Sequence, residues 1–435
     1  MIWTILLGAA PWALLGGFLL FGIRAPRPLP RVIHPPSSRG VQPAREATQG
    51  IPATGATSHD LSSQPFPTVT IVVPARNEAR SIIDCVGSLA FQEYPDFDIV
   101  VVDDDSIDGT GDLALSVPHG RAREIRVIQG KPLPEGWFGK PWACHQGAGE
   151  AKGDLLLFTD ADTRHAPDLL SRAVAGMLED GVQALTLNGR QEARSLGELL
   201  IQPQMFALIG IRYSNLDQRL PPDLAGDAIA NGQYILVEKR VYDEIGGHEA
   251  VKGEVAEDLR LAQVLTAAGY PVVFRDAIDS FSTRMYQSLR EAIAGWTKNV
   301  AVGGQQAAGK LAPLAPIGMI GYLVVFWIIP PLTFLLLGGV AVLDVAIDLV
   351  RPSGYGAAPP TLFTDSLFLW SRLTIGLSVI TWIGLYRRFQ LPIRYALLYP
   401  IGAGLVTYIA LRSWMRGSGR IEWKGRRYSG GKSTS

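Results

Sequence analysis

Two acidic clusters in the sequence are spaced for chemistry. Asp103, Asp104 and Asp105 close the apolar run 99–102 and lead into Ser106-Ile107-Asp108-Gly109-Thr110, while Asp160 and Asp162 follow the apolar run 155–158 in Thr159-Asp160-Ala161-Asp162-Thr163. Crowded carboxylates repel one another unless they bind a cation or accept hydrogen bonds from ligand hydroxyls and ring N–H groups. The competing explanation of the first cluster is a solvated bend, with Asp108-Gly109 turning the chain and an aspartate capping the next helix. For the second, carboxylates at i and i+2 of an extended segment point the same way, so both reach one hard divalent ion whose other positions take diphosphate oxygens and water. His165 is read as a helix-start residue rather than a ligand, because carboxylates and phosphates already suit such an ion.

The elements that must carry these residues follow from the pattern around them. β-Branched runs at 69–73, 99–102, 125–128 and 155–158 alternate with helical periodicity, and segment 78–94 puts Ile82, Val86, Leu89 and Ala90 on one face. Alternating strand and helix predicts an α/β domain with a parallel sheet covered on both faces. Ligands of such sheets bind beyond the carboxyl ends of the strands, where both acidic clusters fall.

Composition sets the surroundings. The 435 residues hold 40 Lys plus Arg against 40 Asp plus Glu, so the electrostatics give no reason to expect a nucleic-acid partner. Hydrophobic residues make up 47% and charged ones only 18%, a balance suited to a chain that is part membrane and part globular. Two cysteines make no disulfide framework, which suits a reducing compartment. Residues 1–23 read as an uncleaved transmembrane anchor, with no basic region before the apolar run. Arg24, Arg27, Arg31 and Arg39 follow it, which places the next domain in the cytosol and predicts a multi-pass protein of the cell (inner) membrane. Residues 24–67, rich in Pro, Ser and Gly, read as a flexible tether, 68–310 as the catalytic domain, 311–412 as a C-terminal membrane region and 413–435 as a basic tail. The apolar block 317–350 is about 34 residues, roughly 51 Å of helix, too long for one crossing and short for two. One crossing per block leaves the basic tail on the outer side, against the charge rule; a re-entrant hairpin at Pro330-Pro331 would return it.

The motifs taken together resemble the family 2 glycosyltransferases, inverting enzymes with a GT-A fold. VVPARNE, VVDDDSIDGT, FTDADT and the Glu257-Asp258 pair of GEVAEDLRLA fall in that family's order. LPEGWFGKPWAC, IGGHEAVKGEVAEDLRLA, TRMY, GWTKN and EWKGRRY look like its membrane-bound branch of carotenoid- and hopene-associated hexosyltransferases, related to ceramide glucosyltransferases. The resemblance covers about 69–303. It implies a nucleotide sugar, a UDP-sugar, as donor and a membrane lipid of polyisoprenoid, carotenoid, hopanoid or ceramide-like type as acceptor. By the same resemblance Asp104, with Glu78 and Asp103 nearby, holds the nucleotide; Asp160 and Asp162 flank Mg2+ or Mn2+; Asp258 is the general base and Glu257 supports it. Lys140 is placed to face the diphosphate as a point charge, with a plain surface lysine as the alternative.

That chemistry needs this set of residues. A departing nucleoside diphosphate gains charge that a divalent cation offsets, and an acceptor hydroxyl needs a carboxylate to take its proton. Glycosidases use two carboxylates and no metal, and the Asp-x-Asp argues against them. Polymerising members of the family carry Gln-x-x-Arg-Trp; here the stretch is Ala292-Ile293-Ala294-Gly295-Trp296, so a polysaccharide synthase with a divergent acceptor motif is the lesser reading. Tyr286, Leu289, Ile293, Trp296 and Val300 form an apolar stripe, either core-facing or an interfacial helix presenting Trp296 to the lipid acceptor. A non-catalytic nucleotide-sugar-binding membrane protein is the rival from another class. A transporter would need ionisable residues along several spans, and Asp344, Asp348 and Arg372 are the few candidates.

Overall fold

The computed structural model describes residues 2–31, 66–308, 314–350, 362–416, 420–423, 426–429 and 432–434. Strands β1 (Val69–Ala75), β2 (Phe97–Asp103), β3 (Ile125–Gln129) and β4 (Leu155–Thr159) realise the four apolar runs. With β5 (Thr163–His165), β6 (Ala184–Asn188), β7 (Arg190–Gln191), β8 (Tyr234–Glu238), β9 (Val272–Asp276) and β10 (Phe281–Thr283) they build two sheets. The larger has the order β3-β2-β1-β4-β8-β6-β9. The expectation of a parallel sheet needs one correction: β8 runs antiparallel to both β4 and β6. Its side chains, buried on both faces like those of its neighbours, gave no sign of direction. The small sheet β5-β10-β7 lies over the turn that carries Asp160 and Asp162.

Alternation along the strands divides the core into two layers. Ile71, Val73, Ile99, Val101 and Leu157 pack on one face with α2 (Ile82–Ala90) and α5 (Leu169–Asp180). Val72, Val100, Val102, Leu156 and Phe158 pack on the other with α4 (Gly139–Gly149) and α8 (Glu257–Ala267). The remaining helices of this domain are α3 (Thr110–Leu115), α6 (Leu196–Arg212), α7 (Lys239–Glu244) and α9 (Leu289–Ala308).

Among the described residues, four helical stretches are long and apolar enough to cross a membrane: Ile5–Gly22, Ala315–Gly339, Asp365–Arg388 and Ile393–Met415. They belong to α1 (Ile2–Gly17) with the π-turn after it, to α10 (Ala315–Leu323) joined through a π-turn to α11 (Ile329–Val350), to α12 (Leu362–Arg388), and to α13 (Tyr399–Arg416) with the 3-10 turn before it. No hairpin forms at Pro330-Pro331. The helix passes through, and the π-turn Val324–Ile328 lies just ahead of the two prolines. Pro330 cannot donate to the carbonyl four residues back. That carbonyl, of Phe326, accepts instead from Trp12 Nε1 at 2.8 Å. α1 and α12 run in parallel, since Gly8 meets Trp370, Gly16 meets Thr381 and Gly384 meets Leu20.

The first residues of the expected tether are docked, not free. Arg24 N–H donates to Ser214 O and Leu29 N–H to Asp276 O, while Arg27 pairs with Asp180 and Asp217. Arg172 and Arg275 donate to the carbonyls of Pro30 and Pro28. Composition describes the segment's own poverty in apolar side chains, whereas its backbone is held by arginines that lie far away in sequence. Residues 32–65 of the expected tether lie outside the described residues.

The domain meets the membrane helices through α6 and α9. Ile201, Met205, Ala292 and Trp296 share one apolar cluster with Leu19, Trp327, Trp382, Ala403, Val406 and Ile409. Polar ties fix the contact: Tyr386 Oη donates to Leu199 O at 2.7 Å, and Gln204 Nε2 donates to Tyr399 O at 3.0 Å. α13 packs on α6, α9 and α10, and Gly402 lets it approach the Leu200 carbonyl, which a Cβ would meet at 2.6 Å. In the tail, Arg420–Trp423, Arg426–Ser429 and Lys432–Thr434 pair as an antiparallel meander.

Candidate active site

The carboxyl end of β1 turns through Arg76, Asn77 and Glu78 and is tied to the loop after β2. Asn77 takes a positive φ of 53° and its side chain accepts from Ile107 N–H, while its own N–H donates to Ser106 Oγ. Glu78 N–H donates to Thr110 Oγ1, and Ala79 N–H to Asp108 Oδ2. Burial works to raise the Asp108 carboxyl, but hydrogen bonds from Thr110 and Ala79 outweigh it and hold it below its ordinary value. Asp108 therefore builds the loop, as the bland reading of this cluster had it. Asp103 does likewise: its Oδ1 accepts from Ser106 N–H at 3.1 Å. Asp104 is different. Nearly inaccessible at 1% exposure, it lies beside Gly130, where a Cβ would stand 3.2 Å from its Cα. Glu78 sits at the rim, its carboxylate accepting from Ser81 Oγ at 3.2 Å.

The second cluster lies one strand away, because β1 separates β2 from β4; at about 5 Å per strand the two clusters stand roughly 10 Å apart. The segment is not extended as expected. Residues 161 and 162 form a turn, held where Thr163 Oγ1 and Cys85 Sγ donate to Asp160 O. Asp160 Oδ1 lies 2.7 Å from Lys140 Nζ, and Asp162 Oδ1 accepts from Thr283 Oγ1 at 3.3 Å. Among the described residues no three His, Cys, Asp or Glu side chains group as metal ligands. Two carboxylates on one turn, one already holding an ammonium, suit a hard divalent ion that draws its remaining oxygens from a diphosphate and water. His165 is not at a helix start: it lies buried on β5 with Nε2 beside Thr159 and Thr163 hydroxyls, and burial drives its pKa down to about 3.

Lys140 joins the Asp-x-Asp turn to α8. Standing in the first turn of α4, its ammonium also lies 2.9 Å from Glu257 Oε1 and donates to Gly232 O at 3.5 Å. Burial opposes its charge, but Asp160, Glu257 and Asp258 outweigh that and raise its pKa well above the ordinary lysine range. Paired with two carboxylates, it is not a plain surface lysine. On Glu257 burial acts upward, and Lys140 reverses it to hold the carboxyl below its usual value. Asp258 moves the other way: burial and then the Glu257 charge push it up to about 6, against Lys140 and the N–H groups of Leu259 and Gly232. Its Oδ2 accepts from Gly232 N–H at 2.9 Å. A Cβ at position 232 would come within 2.7 Å of that oxygen, so the glycine is what lets the backbone reach the carboxylate.

The structure thus brings Lys140, Asp160, Glu257 and Asp258 together, with Asp162 on the same turn and Asp104, Asp103 and Glu78 at neighbouring strand ends. Trp296 stands apart from this cluster. It is buried at 5% exposure with its ring against Phe206 and Tyr286, at the contact of α9 with α6. One residue escaped the sequence reading: Gly232, whose N–H donates to Asp258 Oδ2.

Residues 70–236 match the model of glycosyl transferase family 2. The 4,4'-diaponeurosporenoate glycosyltransferase of Staphylococcus aureus strain MRSA252 is 28% identical over 387 residues, covering 83% of this chain and 88% of its own. That of strain USA300 is 27% identical with the same coverage. Among solved structures, a mannosyltransferase of Pyrobaculum calidifontis in complex with GDP-Man and Mn2+ aligns with 79% of this chain and 87% of its own at 16% identity and TM-score 0.44. The glucosyl-3-phosphoglycerate synthase of Mycobacterium tuberculosis, with Mn2+, UDP and glucosyl-3-phosphoglycerate, covers 56% of this chain and 80% of its own at 18% identity and TM-score 0.37.

Proposed function

We propose that this chain, a glycosyltransferase with a family 2 domain of GT-A fold, moves a sugar from a nucleotide sugar, a UDP-sugar, to a hydroxyl or carboxyl of a membrane lipid with inversion. The observation that carries the reading is the position of Asp258. A carboxylate raised to about 6 stands beside the Lys140–Asp160–Glu257 cluster, in a domain that reaches its membrane helices through the apolar faces of α6 and α9.

In this reading Asp104 takes the base and ribose of the donor at the β1–β2 edge, and the diphosphate lies toward Asp160 and Asp162. These two carboxylates would hold a divalent cation, Mg2+ or Mn2+, which would supply charge to offset that of the leaving diphosphate. Lys140 holds Asp160 and Glu257 in place and keeps Glu257 ionised. Asp258 accepts the proton of the lipid's hydroxyl or carboxyl group as that oxygen bonds to the anomeric carbon. The bond from that carbon to the diphosphate breaks in the same displacement, and its electron pair leaves with the diphosphate. The acceptor class is supported by the apolar cluster beneath the site and by the relatives' name, which refers to diaponeurosporenoate. Nucleotide sugars are met in the cytosol, so the domain faces the cytoplasm and the apolar helices sit in the cell membrane. Membranes containing the overproduced chain, incubated with labelled UDP-sugars with and without EDTA, test the whole reading. One labelled lipid in the organic extract, absent with EDTA, is expected; label confined to water-soluble polymer would refute it.

A further inference from the structure

We propose that His165 is a positioning residue of the reaction: its Nε2–H is the hydrogen that joins Thr163 to Thr159, and through these two hydroxyls it holds the turn bearing Asp160 and Asp162 against the Gly232-Gln233 segment that holds Asp258. This rests on the nucleotide-sugar reading and deepens it. Hydrogens can be counted. Thr163 Oγ1 lies 2.6 Å from Asp160 O, and Thr159 Oγ1 lies 2.8 Å from Gln233 O. A carbonyl only accepts, so each hydroxyl hydrogen is spent there, and the Cys85 thiol gives its own to Asp160 O as well. The two hydroxyl oxygens nevertheless stand 3.1 Å apart, at 2.9 and 3.3 Å from His165 Nε2. Neither has a hydrogen left for the other or for the ring. The imidazole must therefore donate from Nε2, and its hydrogen is shared between two sets of lone pairs that would otherwise face each other in a buried pocket.

The network connects the two halves of the site. On one side, Asp160 O is the carbonyl that opens the turn, so what fixes Thr163 also fixes the direction in which Asp160 and Asp162 point. Thr163 is the first residue of β5 and pairs with Thr283, whose hydroxyl donates to Asp162. On the other side, Gln233 follows Gly232, whose N–H donates to Asp258 Oδ2 at 2.9 Å and whose carbonyl accepts from Lys140 at 3.5 Å. Packing fixes the ring in this position. It is buried, with the Phe281 and Tyr234 rings centred 5.2 and 5.9 Å away, and the His165 backbone N–H donates to Ser88 Oγ at 3.2 Å. Sealed beneath the turn, His165 acts through the carbonyls of Asp160 and Gln233 rather than on substrate.

The test uses the full chain in detergent, with Mn2+ binding at saturating UDP read calorimetrically and without turnover, beside transfer kinetics. His165→Leu is expected to weaken Mn2+ roughly tenfold and to lower kcat by a similar factor, with the lipid KM within about twofold. His165→Gln carries an amide nitrogen where the imidazole has Nε2 and is expected to recover most of both losses; His165→Asn, whose amide ends nearer the position of Nδ1, is not. Should leucine prevent folding, Thr163→Val and Thr159→Val, each close in shape to threonine, divide the effect: the first chiefly weakens Mn2+ and the second chiefly lowers kcat. Wild-type Mn2+ affinity and kcat in His165→Leu would overturn the proposal, as would threonine variants that leave both unchanged. Equal recovery by glutamine and asparagine would reduce the ring to a matter of packing and also overturn it. A wild-type chain that binds no Mn2+ at any UDP concentration would instead bring down the metal reading itself, and this inference with it.

Discussion

Asp258→Asn separates a general base from a carboxylate that merely caps α8. The substitution keeps the shape, and the amide oxygen still accepts the Gly232 N–H that the carboxylate accepts at 2.9 Å. What it removes is the capacity to take a proton. With a pKa of about 6, the wild-type carboxyl at pH 7.5 is ionised roughly thirty times out of thirty-one, and at pH 5 about one time in ten. Wild-type turnover therefore falls about tenfold for each unit below pH 6, whereas the asparagine variant keeps a low rate without that limb. The loss at pH 7.5 should be roughly 10²-fold or more. Stability argues against collapse of the fold. The folded-state pKa lies above the ordinary 3.8, so this group favours the folded state at low pH and loses that contribution as pH rises through 6. At pH 7.5 a neutral asparagine therefore carries no charge-related penalty. The assay is labelled-sugar transfer into extracted lipid from pH 5 to 8, with UDP affinity on the same purified variant. Near-wild-type transfer, or an acid limb that persists in the variant, would refute the assignment; loss of UDP binding would make Glu257-Asp258 structural.

Lys140→Met leaves Asp160 and Glu257 without their shared ammonium, so donor affinity should fall and the acid limb of turnover should move above pH 6, since Lys140 holds the Asp258 pKa down; an unmoved limb counts against the bridge. Asp162→Asn should raise the Mn2+ concentration needed for half-maximal transfer by tenfold or more, and full activity of the EDTA-treated wild type would remove the cation from the mechanism. Gly295→Ala should lower stability by about 1–3 kcal/mol through the Tyr286 clash, although alanine in an open helix would gain about 1 kcal/mol; in a Tyr286→Ala background, itself less stable for the lost packing on Trp296, Gly295→Ala should no longer destabilise, read by thermal unfolding. Protease added to sealed right-side-out spheroplasts should leave segment 47–63 intact, and cleavage there would invert the topology.

Local patterns in the sequence were enough for the strands that lead into Asp104 and Asp160, because a run of apolar residues closed by carboxylates has the same meaning in any parallel α/β sheet. The apolar blocks were legible for the same reason: length and composition alone limit what spans a bilayer. The resemblance of GEVAEDLRLA named Asp258, yet not why its proton is held so tightly. That depends on Gly232, 26 residues earlier, and on Lys140, more than a hundred residues earlier, meeting it across β4 and β8. The direction of β8, the burial of Trp296 between α9 and α6, and the passage of a helix through Pro330-Pro331 also depended on distant partners; for the last, Trp12 takes the Phe326 carbonyl that the proline cannot serve. Periodicity records which face of an element is apolar. It does not record which other element will cover that face, and charge shifts and glycine requirements arise only once that packing is made.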